Sequence, residues 1–159
     1  MHWYPSSFSE APRTLAIVAD DGQATIDGGG SVGLLSVQPG ADVVLANLRL
    51  RNGNTTGLGG GGAVNNYGMM ELYTCAFDNN HADWGGALYS GGTGTTKMHT
   101  CTFDGNHADY AGAAGNAGTM EMHTCTFDGN HAEETGGAVN NYGMMKMHSC
   151  ALSAIARNG

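Results

Sequence analysis

The sequence predicts an all-β fold, a right-handed parallel β-helix (solenoid) of about five coils, on three observations. Cys75, Cys101, Cys125 and Cys150 recur at steps of 26, 24 and 25 residues, each with the same neighbours, and repetition at such a period marks a solenoid. The chain of 159 residues holds 27 glycines and 3 prolines without a Gly-X-Y period, so tight turns interrupt every run that a helical repeat would need. Within each copy the apolar residues stand two apart, the spacing of one face of a strand. With coils of roughly 24–27 residues, the whole chain reads as one β-helix domain. Residues 1–60 form degenerate N-terminal coils, 61–152 the regular repeats and 153–159 a C-terminal tail.

In chain order, TLAIV from Thr14 and ATIDGGG from Ala24 read as strands of an early coil. GADVVLANLRLRNG from Gly40 places Val43, Leu45, Leu48 and Leu50 where later copies carry Met, Leu, Cys and Phe. From Gly61 the copies are regular, and Met70, Thr96, Met120 and Met145 form one inward column, with Leu72, Met98, Met122 and Met147 a second. Cys lies three positions beyond the second column and two before Phe77, Phe103, Phe127 and Leu152, so alternation breaks at a bend between them. There Tyr73, His99, His123 and His148, and the following Thr74, Thr100, Thr124 and Ser149, should all point outward. Asp-Asn-Asn or Asp-Gly-Asn after Phe is a turn whose Asn80, Asn106 and Asn130 stack at a corner and bond stray backbone groups. Gly-Gly-Ala-Val/Leu forms a third strand pressed close to its neighbours. The outward residues Glu71, Lys97, Glu121 and Lys146 alternate in sign, each exposed pair contributing about 0.2–1 kcal/mol and favouring this register. Extra residues fall at turns, in SGGTG from Ser90 and at Glu133-Glu134. Both ends leave hydrogen-bonding edges open to fraying or end-to-end self-association.

Composition excludes several classes. The formal charge is −8 with 6 Lys and Arg in all, scattered, which argues against nucleic acid and other acidic polymers as partners. No apolar stretch is long enough to span a membrane, and the opening MHWYPSSFSEAPR lacks the basic and apolar regions of a secretory signal. The chain therefore reads as cytosolic or as a piece of something longer. The cysteines lack the paired spacing of zinc ligands, and their period reads as a reduced column of buried thiols, with a disulfide between neighbouring coils as the alternative.

The pairing of F-x-x-N with a following G-G-A-[ILV] resembles the repeat of chlamydial polymorphic outer-membrane proteins and of related β-helix repeat proteins. Phe77–Asn80, Phe103–Asn106 and Phe127–Asn130 carry the first element. Gly61–Val64, Gly85–Leu88 and Gly136–Val139 carry the second, with Ala111–Ala114 a degenerate copy. The resemblance implies a surface or extracellular location and an adhesin-like role, and it transfers no catalytic residue, because the motif positions are turns and core.

Asp78, Asp104 and Asp128, with His81, His107 and His131 three residues later, give stacked carboxylates and imidazoles along one edge, backed by Asp83, Asp109 and Glu133. Oxygen clusters suit calcium or another divalent cation, and carboxylates one coil apart approach the spacing of retaining glycosidases. Asp before Gly-Asn is equally the expected turn former. The His99, His123 and His148 column could take a soft divalent metal. No Ser-His-Asp or Cys-His pair is identifiable, since Cys points inward and His outward. Gly57–Gly62 meets G-x-G-x-x-G trivially and reads as a flexible turn. The sequence thus favours a non-catalytic structural or adhesion-type module that meets a cell-surface glycan or protein and needs no cofactor. A polysaccharide-active lyase or glycosidase and a cation-binding repeat protein are the competing classes.

Overall fold

The computed structural model describes residues 14–153 and 156–157. The segment MHWYPSSFSEAPR and most of the expected tail lie outside the described residues. All strand pairing is parallel, each strand pairs with its counterpart one coil away, and the described residues contain no helix. The result is a β-solenoid of about five turns.

Each regular coil has four strands, not the expected three. The methionine sheet contains Met69–Tyr73, Thr95–His99, Thr119–His123 and Met144–His148, and extends back through Asp42–Ala46 to Thr14–Val18. The phenylalanine sheet contains Ala76–Asp78, Thr102–Asp104, Thr126–Asp128 and Ala151–Leu152, and begins at Ala24–Asp27 and Leu48–Arg51. The glycine–alanine sheet runs from Leu35–Val37 through Val64–Asn66, Leu88–Ser90 and Ala114–Asn116 to Val139–Asn141. The unexpected fourth sheet, the histidine sheet, comprises His81–Trp84, His107–Tyr110, His131–Thr135 and Ala156–Arg157. Its only inward residue in each regular coil is a buried alanine, Ala82, Ala108 or Ala132, so the segment carries too little hydrophobic signal to separate it from the preceding turn.

The inward columns hold in register. Met70, Thr96, Met120 and Met145 face one another, as do Leu72, Met98, Met122 and Met147, and Val43 and Leu45 precede them. Phe77, Phe103 and Phe127 stack with ring centroids 4.7 and 4.8 Å apart and planes within 7° of parallel. Thr96 is polar but fully buried, and its hydroxyl accepts from Asn66 Nδ2 at 2.8 Å and lies 3.2 Å from Ser90 Oγ. The predicted bend lies at Thr74, Thr100, Thr124 and Ser149, whose φ values of 52–56° place them in the left-handed region. Threonine is strained there, and the bend is held because Thr74, Thr100 and Thr124 donate to the carbonyls of His99, His123 and His148 in the next coil. In the sign-alternating column, Lys97 Nζ lies 3.7 Å from Glu71 Oε1, whereas Glu121 bonds His123.

Two features clamp the coils. Asn106 accepts from the backbone N–H and Nδ2 of Asn80, both at 3.0 Å, and donates to Phe77 O and Asn130 Oδ1, both at 2.9 Å. Asn80 and Asn130 repeat the pattern, and all three are buried. The glycine before Ala in Gly-Gly-Ala, and in its degenerate copy Ala-Gly-Ala, lies against the next coil, so that a Cβ on Gly62, Gly86 or Gly112 would overlap the carbonyl oxygen of Gly86, Gly112 or Gly137 respectively.

Cys75, Cys101 and Cys125 are buried free thiols that donate to main-chain carbonyls, and Cys150 is half-buried. Hydrogen bonding to Cys125 and Cys75, and then burial, pushes the Cys101 thiol well above the usual range. At the edges of the described structure the inward apolar columns emerge, with Leu15 51%, Leu152 51% and Met147 38% exposed.

Replacing Asn106 with Ala should destabilise the fold by about 3 kcal/mol in denaturant unfolding, because it strands buried donors on Asn80 and the Phe77 carbonyl. Gly86→Ala should abolish cooperative folding. In native protein a thiol reagent should titrate Cys150 first, with Cys75, Cys101 and Cys125 reacting only on unfolding.

Candidate functional site

The structure separates the carboxylate and imidazole columns that adjoin in sequence. Asp78, Asp104 and Asp128 end strands of the phenylalanine sheet, His81, His107 and His131 begin strands of the histidine sheet, and the Asn corner lies between. Asp78 is buried and paired with Arg49, and Asp128 Oδ1 accepts from Ser153 Oγ at 3.0 Å. Asp104 is exposed. Asp83 serves the loop beside it, accepting from the N–H groups of Gly57 and Gly59 at 2.9–3.2 Å. Gly61 N–H is likewise bonded to Asn65 Oδ1 at 2.8 Å. The glycine run expected to be a flexible turn is thus tied down by side chains.

The imidazoles do meet. His81, His107 and His131 follow one another with centroids 4.6 and 5.0 Å apart and planes tilted by 31° and 47°, and Glu133 Oε1 lies 2.9 Å from His107 Nε2 and 3.2 Å from His131 Nε2. Burial first, and then the neighbouring His107, lowers the pKa of His81, partly opposed by Asp109, Asp83 and Glu133. A second group joins Glu121, His123 and His148 at the bend, where Tyr73, His99, His123 and His148 stack within 7° of parallel. Among the described residues, neither group of convergent ligand atoms includes Asp78, Asp104 or Asp128.

Sequence reasoning missed an aromatic groove of about 470 Å³ formed by Leu58, Tyr67, Trp84, Tyr89 and Tyr142, with Gly59, Gly60 and Ala117. Trp84 ends its histidine-sheet strand and stacks on Tyr110 of the next coil at 4.4 Å and 18°, while the Tyr142 ring meets it edge-on at 6.0 Å. Tyr67 and Tyr89 meet edge-to-face at 6.4 Å. Small residues in the next coil make room for both. The Tyr67 ring occupies the place a Cβ on Gly91 would take, and Tyr89 Cδ2 lies 3.1 Å from that position at Gly115. The wall is the tethered glycine loop, topped by Leu58, which is 83% exposed. The lining offers stacking faces and phenolic hydroxyls and contains no carboxylate, imidazole or thiol. The missed signal was irregularity: the tyrosines and tryptophan occupy columns whose other members are Asn, Gly, Ala or Thr.

Parallel strands in register, buried Asn and Phe ladders and a glycine clamp define the class, a parallel β-solenoid repeat protein. The family model of the Chlamydia polymorphic membrane protein repeat matches residues 74–91 and 124–142. Each match carries one F-x-x-N corner and the Gly-Gly-Ala strand that follows it, so the coils are β-helix repeats resembling those of polymorphic membrane proteins. No curated protein and no solved structure matches the chain. No helix among the described residues is long and apolar enough to cross a membrane.

Arg49→Ala should destabilise the fold by about 2 kcal/mol in denaturant titration, because it leaves the buried Asp78 carboxylate without its cation. Asp104→Asn, at an exposed turn, should change stability by less than about 0.5 kcal/mol.

Proposed function

We propose that this chain is a non-catalytic β-helix interaction module of a cell surface or the extracellular space, and that its aromatic groove takes a glycan. One observation carries the reading: an open groove whose lining is built from three tyrosines and a tryptophan on rigid coils, with no acid or base among its members. Sugar rings present C–H faces that stack on aromatic rings, while their hydroxyls bond phenols and backbone groups, and neither contact needs a reacting group. Burial raises the pKa of Tyr89, with a further contribution from Tyr67, so its phenol remains a neutral donor. The likeness of the coils to polymorphic membrane protein repeats supports a surface setting.

A panel of immobilised polysaccharides, scored for both retention and soluble products, tests the reading. Retention without products is expected, and Trp84→Ala or Tyr89→Ala should weaken it at least about tenfold, or about 1.4 kcal/mol, with melting temperature little changed. Release of shortened or unsaturated saccharides would replace this reading with a lyase or glycosidase.

A further inference from the structure

The histidine sheet holds a second feature, distinct from the aromatic groove and independent of the glycan reading. Its strands run His-Ala-Asp-Trp, His-Ala-Asp-Tyr and His-Ala-Glu-Glu-Thr, with His and the acidic residue two apart and therefore on the same face. The third copy departs from the other two: the short Asp becomes Glu133, Glu134 is added, and the pairing slips between Ala108 and Tyr110 so that Tyr110 faces Thr135. An irregularity of this kind re-aims a side chain, and here the longer carboxylate lies between two imidazoles of successive coils. In a repeat protein equal spacings arise without selection, so the coil that breaks the pattern carries more information than those that keep it.

The geometry points to a divalent transition-metal site formed by His107, His131 and Glu133. Glu133 Oε1 stands 2.9 Å from His107 Nε2 and 3.2 Å from His131 Nε2, and the three ligand atoms lie within 4.8 Å of one another. A zinc ion about 2.1 Å from each donor in a tetrahedron sets the donors roughly 3.4 Å apart, so both carboxylate legs need to open by only a few tenths of an ångström. The metal takes the Nε2 lone pairs, each imidazole carries its proton on Nδ1, and the hydrogen bonds to Glu133 give way to metal bonds. Three protein donors leave a fourth position for water. All three side chains are between 29% and 40% exposed, which gives an ion direct entry. Two imidazoles with one carboxylate select zinc, nickel, cobalt or copper over calcium, whose ligands are oxygens.

Ring orientation separates this group from the one at the bend. His107 and His131 are tilted by 47°, and their Nε2 atoms approach one oxygen. His123 and His148 stack within 6° of parallel at 4.6 Å, so their in-plane lone pairs run side by side, and their Nε2 atoms stand 3.1 and 3.9 Å from Glu121 Oε1, a longer and less even pair of legs than Glu133 makes. The bend group therefore serves as the internal control.

The test uses the full chain stripped with chelator and titrated calorimetrically with Zn²⁺ near neutral pH, with Co²⁺ absorption reporting coordination. The expected result is one saturable Zn²⁺ equivalent, a tetrahedral Co²⁺ spectrum and no comparable uptake of Ca²⁺. His107→Gln and Glu133→Gln should each weaken Zn²⁺ at least about tenfold while metal-free melting matches the parent, and His148→Gln should leave the titration unchanged. Absence of saturable binding, equal affinity in the His107 and Glu133 variants, loss in His148→Gln, or effective competition by Ca²⁺ would overturn the site. Should a Gln variant fold poorly, the parent's Co²⁺ spectrum decides: without a tetrahedral band the assignment fails.

Discussion

Parallel hydrogen bonding between successive coils sets each residue directly against its counterpart about 4.8 Å away, and the rest of the molecule follows from that constraint. At this separation there is no space for a side chain where the second glycine of Gly-Gly-Ala crosses its neighbour, so the glycine is dictated by backbone against backbone. The same constraint makes a buried Asn useful, because one amide can bond the main chain of the coil on one side and the amide of the coil on the other. Likewise, phenylalanine rings can lie nearly parallel across three coils. Polar and apolar ladders alike depend on identical groups recurring in register.

A stack governed by repetition can acquire distinct surface chemistry only by departing from it outside the core. The outward column holding Asn65, Tyr89, Gly115 and Asn140 is mixed, and Tyr89 is accommodated because Gly115 leaves room for it. The Trp84, Tyr110 and Thr135 column is mixed too, and its large members face the groove or stack beside it. Inside, the one polar residue of the methionine column, Thr96, is matched by Asn66 and Ser90 in another sheet, so its buried hydroxyl keeps its hydrogen bonds.

Much of the architecture was legible in the sequence because register turns chemistry into visible columns. The Met, Leu, Cys and Phe columns, the bend at Thr74 and its equivalents, the Asn corner and the early strands from Thr14 and Ala24 all follow from spacing and turn chemistry. The fourth sheet was not legible, since one alanine per strand is a weak hydrophobic signal beside an Asp-Gly-Asn turn. The sites were less visible than the fold. The Asp and His columns are three residues apart in the chain, yet a corner intervenes and places them on different sheets, with Asp78 committed to Arg49 and Asp83 to the glycine loop. The groove joins residues from four successive coils and the glycine loop before them, and no periodic pattern announces such a meeting.

Variation in coil length falls at the turn after Ser90 and, where a turn was expected at Glu133-Glu134, at a bulge inside the strand His131–Thr135, while the methionine and phenylalanine sheets keep their register. Duplicating or deleting one coil is therefore a modular edit: it lengthens or shortens the rod, carries its outward rungs with it, and leaves the cross-section intact. Through such edits a lineage can adjust reach and valency, and gain avidity from added rungs without inventing a new contact.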